Sequence, residues 1–163
     1  MLKKILFSLL TLLITYSVCV AAYRFYEPRE EYKETDSSSY ISYASLKEYI
    51  VSAGESSEHL LLFFSPYDAD SEYVRSTLLS EVAKQTSLDL SSMIEIVDVS
   101  GINQENIMTT LSDEWGLSDY PSFAFVHLEN NEPVVINKLE WSSTSPLTSQ
   151  EIISWLKEND ITE

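Results

Sequence analysis

The sequence has 163 residues, with 26 acidic and 10 basic side chains, a formal net charge of −16 and one cysteine. Such a length suits one domain beside a targeting segment. Because two of the basic residues precede residue 5 and no acidic one precedes residue 24, the later chain is strongly acidic and is expected to repel nucleic acid and anionic lipid.

An uncharged apolar segment, residues 5–23, follows the two lysines of the N-terminus. About 20 apolar residues can span a bilayer as a helix, whereas a cleaved signal has a shorter apolar core that ends in small residues, as at residues 20–22. Residues 1–23 are therefore predicted to be a membrane anchor or a signal peptide. The remaining domain is expected outside the cytoplasm, membrane-anchored through residues 5–23 in the first case and secreted in the second.

The single cysteine, Cys19, lies inside this apolar segment. We interpret it as an apolar membrane residue, because Tyr16 and Val18 do not fit the lipid-attachment signal of a lipoprotein. Residues 24–163 contain no thiol, so they can form no disulfide and perform no thiol chemistry.

Residues 24–43 are charged and serine-rich and include a single aliphatic side chain. Such a composition buries too little apolar surface to fold by itself. It predicts a polar tether that joins the N-terminal segment to a domain over residues 44–163.

The domain is predicted to open with a helix and a strand. Ser45 and Glu48 have the spacing of a capping box, and the helix that they begin is expected to end at Gly54. Residues 60–64 are five consecutive apolar residues bounded by a Ser-Pro pair, which is typical of a strand covered on both faces.

A helix is predicted to follow this strand, over residues 71–85. Val74, Leu78 and Val82 recur at intervals of four residues and form its apolar face. Asp70 is the expected N-cap.

This strand, turn and helix resemble the redox segment of the thioredoxin family. In that family a Cys-x-x-Cys motif lies between the strand and the helix, and residues 68–71, Asp-Ala-Asp-Ser, occupy its four positions here. The resemblance therefore implies a thioredoxin-like protein that lacks both redox thiols.

The next elements are a polar connection over residues 86–92, a β-branched strand over residues 93–99 and a helix that ends at Gly116. Pro121 then opens another apolar strand. The spacing from Gly116 to Pro121 resembles that of thioredoxin-like proteins, which implies a cis proline beside the groove of the active site.

The chain is predicted to end with a hairpin and a helix. Residues 123–128 and 134–141 form the strands of the hairpin, residues 129–133 its turn, and the pair Thr148 and Glu151 caps the last helix. This order of elements resembles that of thioredoxin and implies an α/β fold, with a central mixed sheet flanked by helices.

No cofactor and no metal are expected. The sequence has no glycine-rich loop for a phosphate. Asp68, Asp70 and Glu72 resemble the start of a calcium loop that lacks its later glycine and glutamate, so a solvated turn is favoured. His59 and His127 are interpreted as structural residues. Trp115, Trp141 and Trp155 are expected to pack in the core.

In the thioredoxin family, the motif turn and the loop before the proline form a groove that holds an extended peptide by backbone hydrogen bonds. We expect a protein or an extended peptide as the partner, and the negative charge favours a basic one. A groove that binds nothing remains the alternative. The residues at the corresponding positions are Tyr67, Asp68, Asp70, Ser71, Asp119, Tyr120 and Pro121.

The favoured function is that of a non-catalytic, membrane-tethered extracytoplasmic module that binds or chaperones a protein or peptide. Secretion, cell-envelope assembly and bacteriocin export are settings in which such a module would serve. The alternative is a degenerate thiol-disulfide oxidoreductase subunit that depends on a partner's cysteines, since disulfide exchange requires a thiolate.

Overall fold

Five strands form one mixed sheet in a computed structural model, which describes residues 40–161. The predicted anchor and most of the predicted tether lie outside the described residues. Within residues 40–161, no helix is long and apolar enough to cross a bilayer. The elements are β1 (Ile41–Ser42), α1 (Leu46–Ala53), β2 (Glu58–Phe64), α2 (Ala69–Tyr73, Val74–Leu78 and Leu79–Thr86 in succession), α3 (Leu90–Met93), β3 (Ile94–Asp98), α4 (Ile107–Trp115), β4 (Ser122–Glu129), β5 (Glu132–Glu140) and α5 (Ser149–Glu158).

The strand order across the sheet is β1-β3-β2-β4-β5. β2 lies at the centre, pairs in parallel with β3 and antiparallel with β4, and β5 completes an antiparallel hairpin with β4. A parallel βαβ unit is thus followed by a hairpin and a closing helix. The predicted thioredoxin-like α/β fold is confirmed.

The two faces of β2 bury separate cores. Leu60, Leu62 and Phe64 pack in one core with side chains of α2 and α5. Leu61 and Phe63 pack in the other core with α1 and α4. Burial on both faces explains the continuous apolar run in the sequence. All three tryptophans are buried in these cores, as predicted.

The helix after β2 begins earlier than predicted. Asp68 rather than Asp70 is its N-cap: the Asp68 backbone is extended, and its carboxylate accepts a hydrogen bond from the Ser71 backbone N–H. Val74–Leu78 of α2 has π-helical hydrogen bonding, which the spacing of apolar residues did not predict. Val74, Leu78 and Val82 are buried as expected.

Two further local predictions are wrong. The Ser45 hydroxyl does not cap α1, because Tyr43–Ser45 already forms a 3-10 turn and the Ser45 backbone is helical. Residues 86–92 are not merely a polar connection: α2 continues to Thr86, and Leu90 is buried in the helical turn α3. The predicted end of α1 at Gly54 and of α4 at Gly116 is confirmed.

The hairpin turn is shorter than the predicted five residues. Only Asn130 and Asn131 separate β4 from β5, and both have positive φ, 53° and 65°. These values are typical of a two-residue type I′ turn, in which asparagine is favoured. Pro133 therefore belongs to β5, where it pairs with Leu128 at the edge of the sheet.

The predicted tether ends too late in the chain. Ile41 and Ser42 pair in parallel with Val97 and Asp98 of β3. The Tyr40 ring contacts the Phe64 ring, with 5.3 Å between centroids. The folded domain therefore includes residues 40–43. The polar composition of the surrounding segment gave no sign of this in the sequence.

Candidate functional site

The turn at the end of β2 forms one side of the candidate site. The Asp68 backbone N–H donates to the Ser65 carbonyl oxygen at 3.2 Å, which closes a β-turn with Pro66 at its second position. Tyr67, at the tip of this turn, is 79% exposed. The turn therefore presents an aromatic ring to solvent.

The two outer positions of the degenerate motif are occupied by Asp68 and Ser71. Oδ2 of Asp68 accepts a hydrogen bond from the Ser71 N–H at 2.7 Å. The Ser71 hydroxyl accepts one from the Ser65 N–H at 3.2 Å, and Ser71 is fully buried. A capping carboxylate and a structural hydroxyl thus replace the two thiols of the motif. Ser71 does not present its side chain to a partner.

The loop before β4 forms the other side. The Tyr120-Pro121 peptide bond is cis, as the resemblance implied. The Ser122 hydroxyl donates to the Asp119 carbonyl at 2.6 Å, and the Tyr120 N–H donates to Oδ1 of Asp119 at 2.8 Å. The Pro121 carbonyl accepts a hydrogen bond from the Trp141 N–H at 3.1 Å. These bonds fix the loop, and Pro121 itself is buried.

A glutamate of β5 holds the same loop from the side. Oε1 of Glu140 accepts hydrogen bonds from the Ser118 N–H and the Ser118 hydroxyl, and Lys138 lies 2.9 Å from its other oxygen. Burial raises the pKa of Glu140, but the hydrogen bonds from Ser118 and Lys138 outweigh it, so the pKa is lower than usual. Lys138 also bonds the carbonyl of Gly116.

Charges from both sides of the site act on Tyr120. Its pKa is raised, first by burial and then by the negative charges of Asp68 and Asp119. A carboxylate from the motif turn and another from the proline loop therefore act on one phenol. Tyr120 is half-buried, whereas Asp70 is exposed at the start of α2.

Of the seven residues expected to bind a partner, five have accessible side chains. Ser71 and Pro121 are buried and contribute only shape. We call the accessible set the groove residues: Tyr67, Asp68, Asp70, Asp119 and Tyr120.

The acidic residues after β2 do not converge on one point. The Asp68 carboxylate caps α2, and Glu72 forms a bidentate pair with Arg75 at 2.7 and 3.0 Å. Among residues 40–161, no three potential metal ligands are grouped. His127 lies 3.7 Å from the Glu129 carboxylate, and both ring nitrogens of the buried His59 have protein partners.

Sequence reasoning missed Ser118 and Glu140. They are 22 residues apart, and no local pattern links a loop serine to the last residue of a later strand. The hairpin register, which pairs Ser122 with Glu140, is the feature that brings them together.

No protein-family model and no curated protein matches this chain. Several solved thioredoxin structures are similar to it. The Trichomonas vaginalis thioredoxin has 17% sequence identity and a TM-score of 0.43, over 74% of this chain and 93% of that one. The Chlamydomonas reinhardtii thioredoxin f2 has 10% identity and a TM-score of 0.48, over 76% of this chain and 99% of that one. The Fasciola hepatica thioredoxin has 14% identity and a TM-score of 0.43, over 72% of this chain and 93% of that one.

Proposed function

We propose that this protein is a redox-inactive, membrane-tethered module outside the cytoplasm that binds an extended segment of a partner protein. The observation that carries the proposal is the composition of the groove residues: two tyrosines and three aspartates beside a cis proline, with no thiol in residues 24–163. Aromatic side chains with accessible rings are the commonest anchors of protein interfaces.

The charge of the groove favours a basic partner. Asp68, Asp70 and Asp119 are carboxylates around the two tyrosines, and residues 24–163 carry 8 basic against 26 acidic groups. A lysine or arginine of the partner would meet a carboxylate while its aliphatic part covers a tyrosine ring. Rim charges act mainly on the association rate, so binding should weaken as salt rises.

Site-specific photocrosslinking tests the site. A photoreactive phenylalanine analogue at position 67 should capture a partner in native membranes. The same analogue at Ile136, which is 50% exposed on β5, is the matched control and should not capture it. Tyr120→Ala should reduce the adduct at position 67 roughly 30-fold, the effect of losing about 2 kcal/mol of binding free energy. Equal capture from both positions would place the interaction elsewhere.

The proposal also excludes disulfide exchange by the domain itself. Insulin reduction by the purified domain should equal that of buffer, because no thiolate is present in residues 24–163. Turnover that persists after contaminating reductases are removed would contradict the proposal and favour the oxidoreductase alternative.

Membrane attachment has its own test. Intact-mass measurement of the protein isolated from its native membrane should give an N-terminus before residue 5. A mature N-terminus at Ala22 or Tyr23 would instead identify a cleaved signal and a secreted domain.

A further inference from the structure

Four polar side chains near the start of β2 form a hydrogen-bonded chain. The Ser57 hydroxyl lies 3.1 Å from Nε2 of His59, and Nδ1 of His59 lies 2.8 Å from Oε2 of Glu95. The Tyr49 hydroxyl donates to Oε1 of Glu95 at 2.6 Å. Hydroxyl, imidazole and carboxylate thus follow one another as nucleophile, base and orienting acid do in serine hydrolases, where geometry rather than chain order identifies the site.

The partners of His59 assign its proton. A carboxylate only accepts hydrogen bonds, so Nδ1 carries the hydrogen that is donated to Glu95. In the neutral imidazole Nε2 then carries the lone pair, and it lies 3.1 Å from the Ser57 hydroxyl. This is the tautomer that a general base for Ser57 requires.

The imidazole is held in place by its surroundings. His59 is 5% exposed, and its ring contacts the Tyr49 ring edge to face, with 5.7 Å between centroids. The hydrogen bond to Glu95, followed by burial, raises the pKa of Tyr49 to about 12. Glu95 is therefore fixed by two donors, His59 and Tyr49.

Ser57 is fixed by its backbone, and its side chain is only half-buried. Its N–H donates to the Gly54 carbonyl, and its carbonyl accepts from the Leu128 N–H. The preceding Ser56 has a left-handed φ of 77°. Ser57 is thus partly accessible to solvent, whereas the base beside it, His59, is buried.

We propose that Ser57 is a nucleophile that takes a small acyl group from activated esters and passes it to water. Oγ of Ser57 attacks the acyl carbon, its proton moves to Nε2 of His59, and the alcohol leaves with that proton. Water then gives a proton to Nε2 and attacks the acyl carbon, and the serine hydroxyl re-forms as the carboxylic acid leaves. Glu95 and Tyr49 are positioning residues.

Hydrolysis of p-nitrophenyl acetate by the full-length protein in detergent tests this proposal. Ser57→Ala should lower the release of nitrophenolate at least tenfold. Ser52→Ala is the matched control and should leave it unchanged, since the Ser52 hydroxyl donates to the Tyr49 carbonyl and lies outside the chain of four. Mass spectrometry after treatment with a fluorophosphonate should find the adduct on the Ser57 peptide.

Glu95→Gln tests the positioning role separately. A glutamine amide can donate to Nδ1 of His59 and so favour the opposite tautomer, which should slow acylation at least tenfold at neutral pH with an unchanged circular dichroism spectrum. Hydrolysis that is equal in wild type and Ser57→Ala would overturn the proposal. So would adducts spread over other serines, or a wild-type protein that is never labelled.

Discussion

Asp68 serves both the helix and the groove. Its carboxylate caps α2 through the Ser71 N–H and also acts electrostatically on Tyr120. Substitution separates the two roles, because asparagine can still accept the capping hydrogen bond without the charge.

We expect Asp68→Ala to lower the free energy of unfolding by about 1 kcal/mol, since the Ser71 N–H loses its acceptor. Asp68→Asn should stay within roughly 0.5 kcal/mol of the wild type. Urea denaturation of the three proteins measures both differences. Equal losses for the two variants would mean that the charge, and not the cap, stabilises this helix start.

Glu140 makes stability depend on pH. Its pKa is lowered in the folded protein, so its contribution is complete above the pKa of the unfolded chain and is lost as the pH falls through the folded value. Glu140→Gln should lower the free energy of unfolding by about 1 kcal/mol at neutral pH and by much less at an acidic pH below the folded pKa of Glu140.

Denaturant titrations of wild type and Glu140→Gln at both pH values check this dependence. Glu129→Gln is a suitable control, because Glu129 is exposed at the hairpin end and its carboxylate lies 3.7 Å from His127. A difference at Glu140 that persists unchanged in acid would contradict the role of its ionised form.

At the level of single residues, the sequence predicted positions better than roles. It identified the motif turn and the proline loop, but it made Asp70 the cap because the apolar spacing becomes regular only from Ser71. Asp68 caps instead, since the turn at Pro66 starts the helix two residues earlier. The role of Glu140 could not be predicted from the sequence, because it depends on the hairpin register.

Among the elements, α4 shows how a single glycine determines where a helix ends. Gly116 follows Trp115 and has a left-handed φ of 67°. A Cβ at this position would meet no atom within 4 Å, so a side chain would not clash with its neighbours. Only the backbone conformation therefore selects glycine at this position.

We expect Gly116→Ala to lower the free energy of unfolding by about 1 kcal/mol, the cost of a left-handed alanine. Gly101→Ala is the matched control: it also meets no atom within 4 Å but needs no left-handed backbone, and it should change stability little. Thermal unfolding followed by circular dichroism compares the two. Equal effects would contradict the conformational explanation.

The sequence predicted elements well where one pattern dominated. The double-sided burial of β2, the face of α2 and the capping box of α5 are all present. Prediction failed where two signals competed. Ser45 had the capping spacing but is the last residue of a 3-10 turn. Pro133 suggested a longer hairpin turn, although Asn130 and Asn131 suffice.

For the whole molecule, the contacts of residues 40–43 show that the domain includes them. The Tyr43 hydroxyl accepts a hydrogen bond from Nε1 of Trp115 at 3.1 Å, and burial is the main cause that raises its pKa to about 12. Tyr40 packs on Phe64 in the core on the other face of the sheet.

A protein that starts at residue 40 should therefore be more stable than one that starts at residue 44. We expect a difference of about 2 kcal/mol or more, because the shorter protein loses two partly buried tyrosines and the pairs of β1 with β3. Chemical denaturation of both proteins measures it. Equal stabilities would mean that residues 40–43 belong to the tether and not to the folded domain.

The overall topology was predictable because the buried strand, the glycine-to-proline spacing and the final hairpin and helix occur in one order along the chain. The packing of residues 40–43 against the domain was not predictable, since two tyrosines in a serine-rich stretch show no periodicity. Their burial depends on partners more than 20 residues away, Phe64 and Trp115.

The shortness of β1 has a mechanical consequence. A pulling force applied to the chain before Tyr40 reaches the domain at Ile41 and Ser42, which pair in parallel with Val97 and Asp98 of β3, so a pull along the strand would load these pairs in shear. Only two residue pairs and the adjoining tyrosine rings share that load. We expect these pairs and rings to separate under tension before the central strand β2, which is held between β3 and β4.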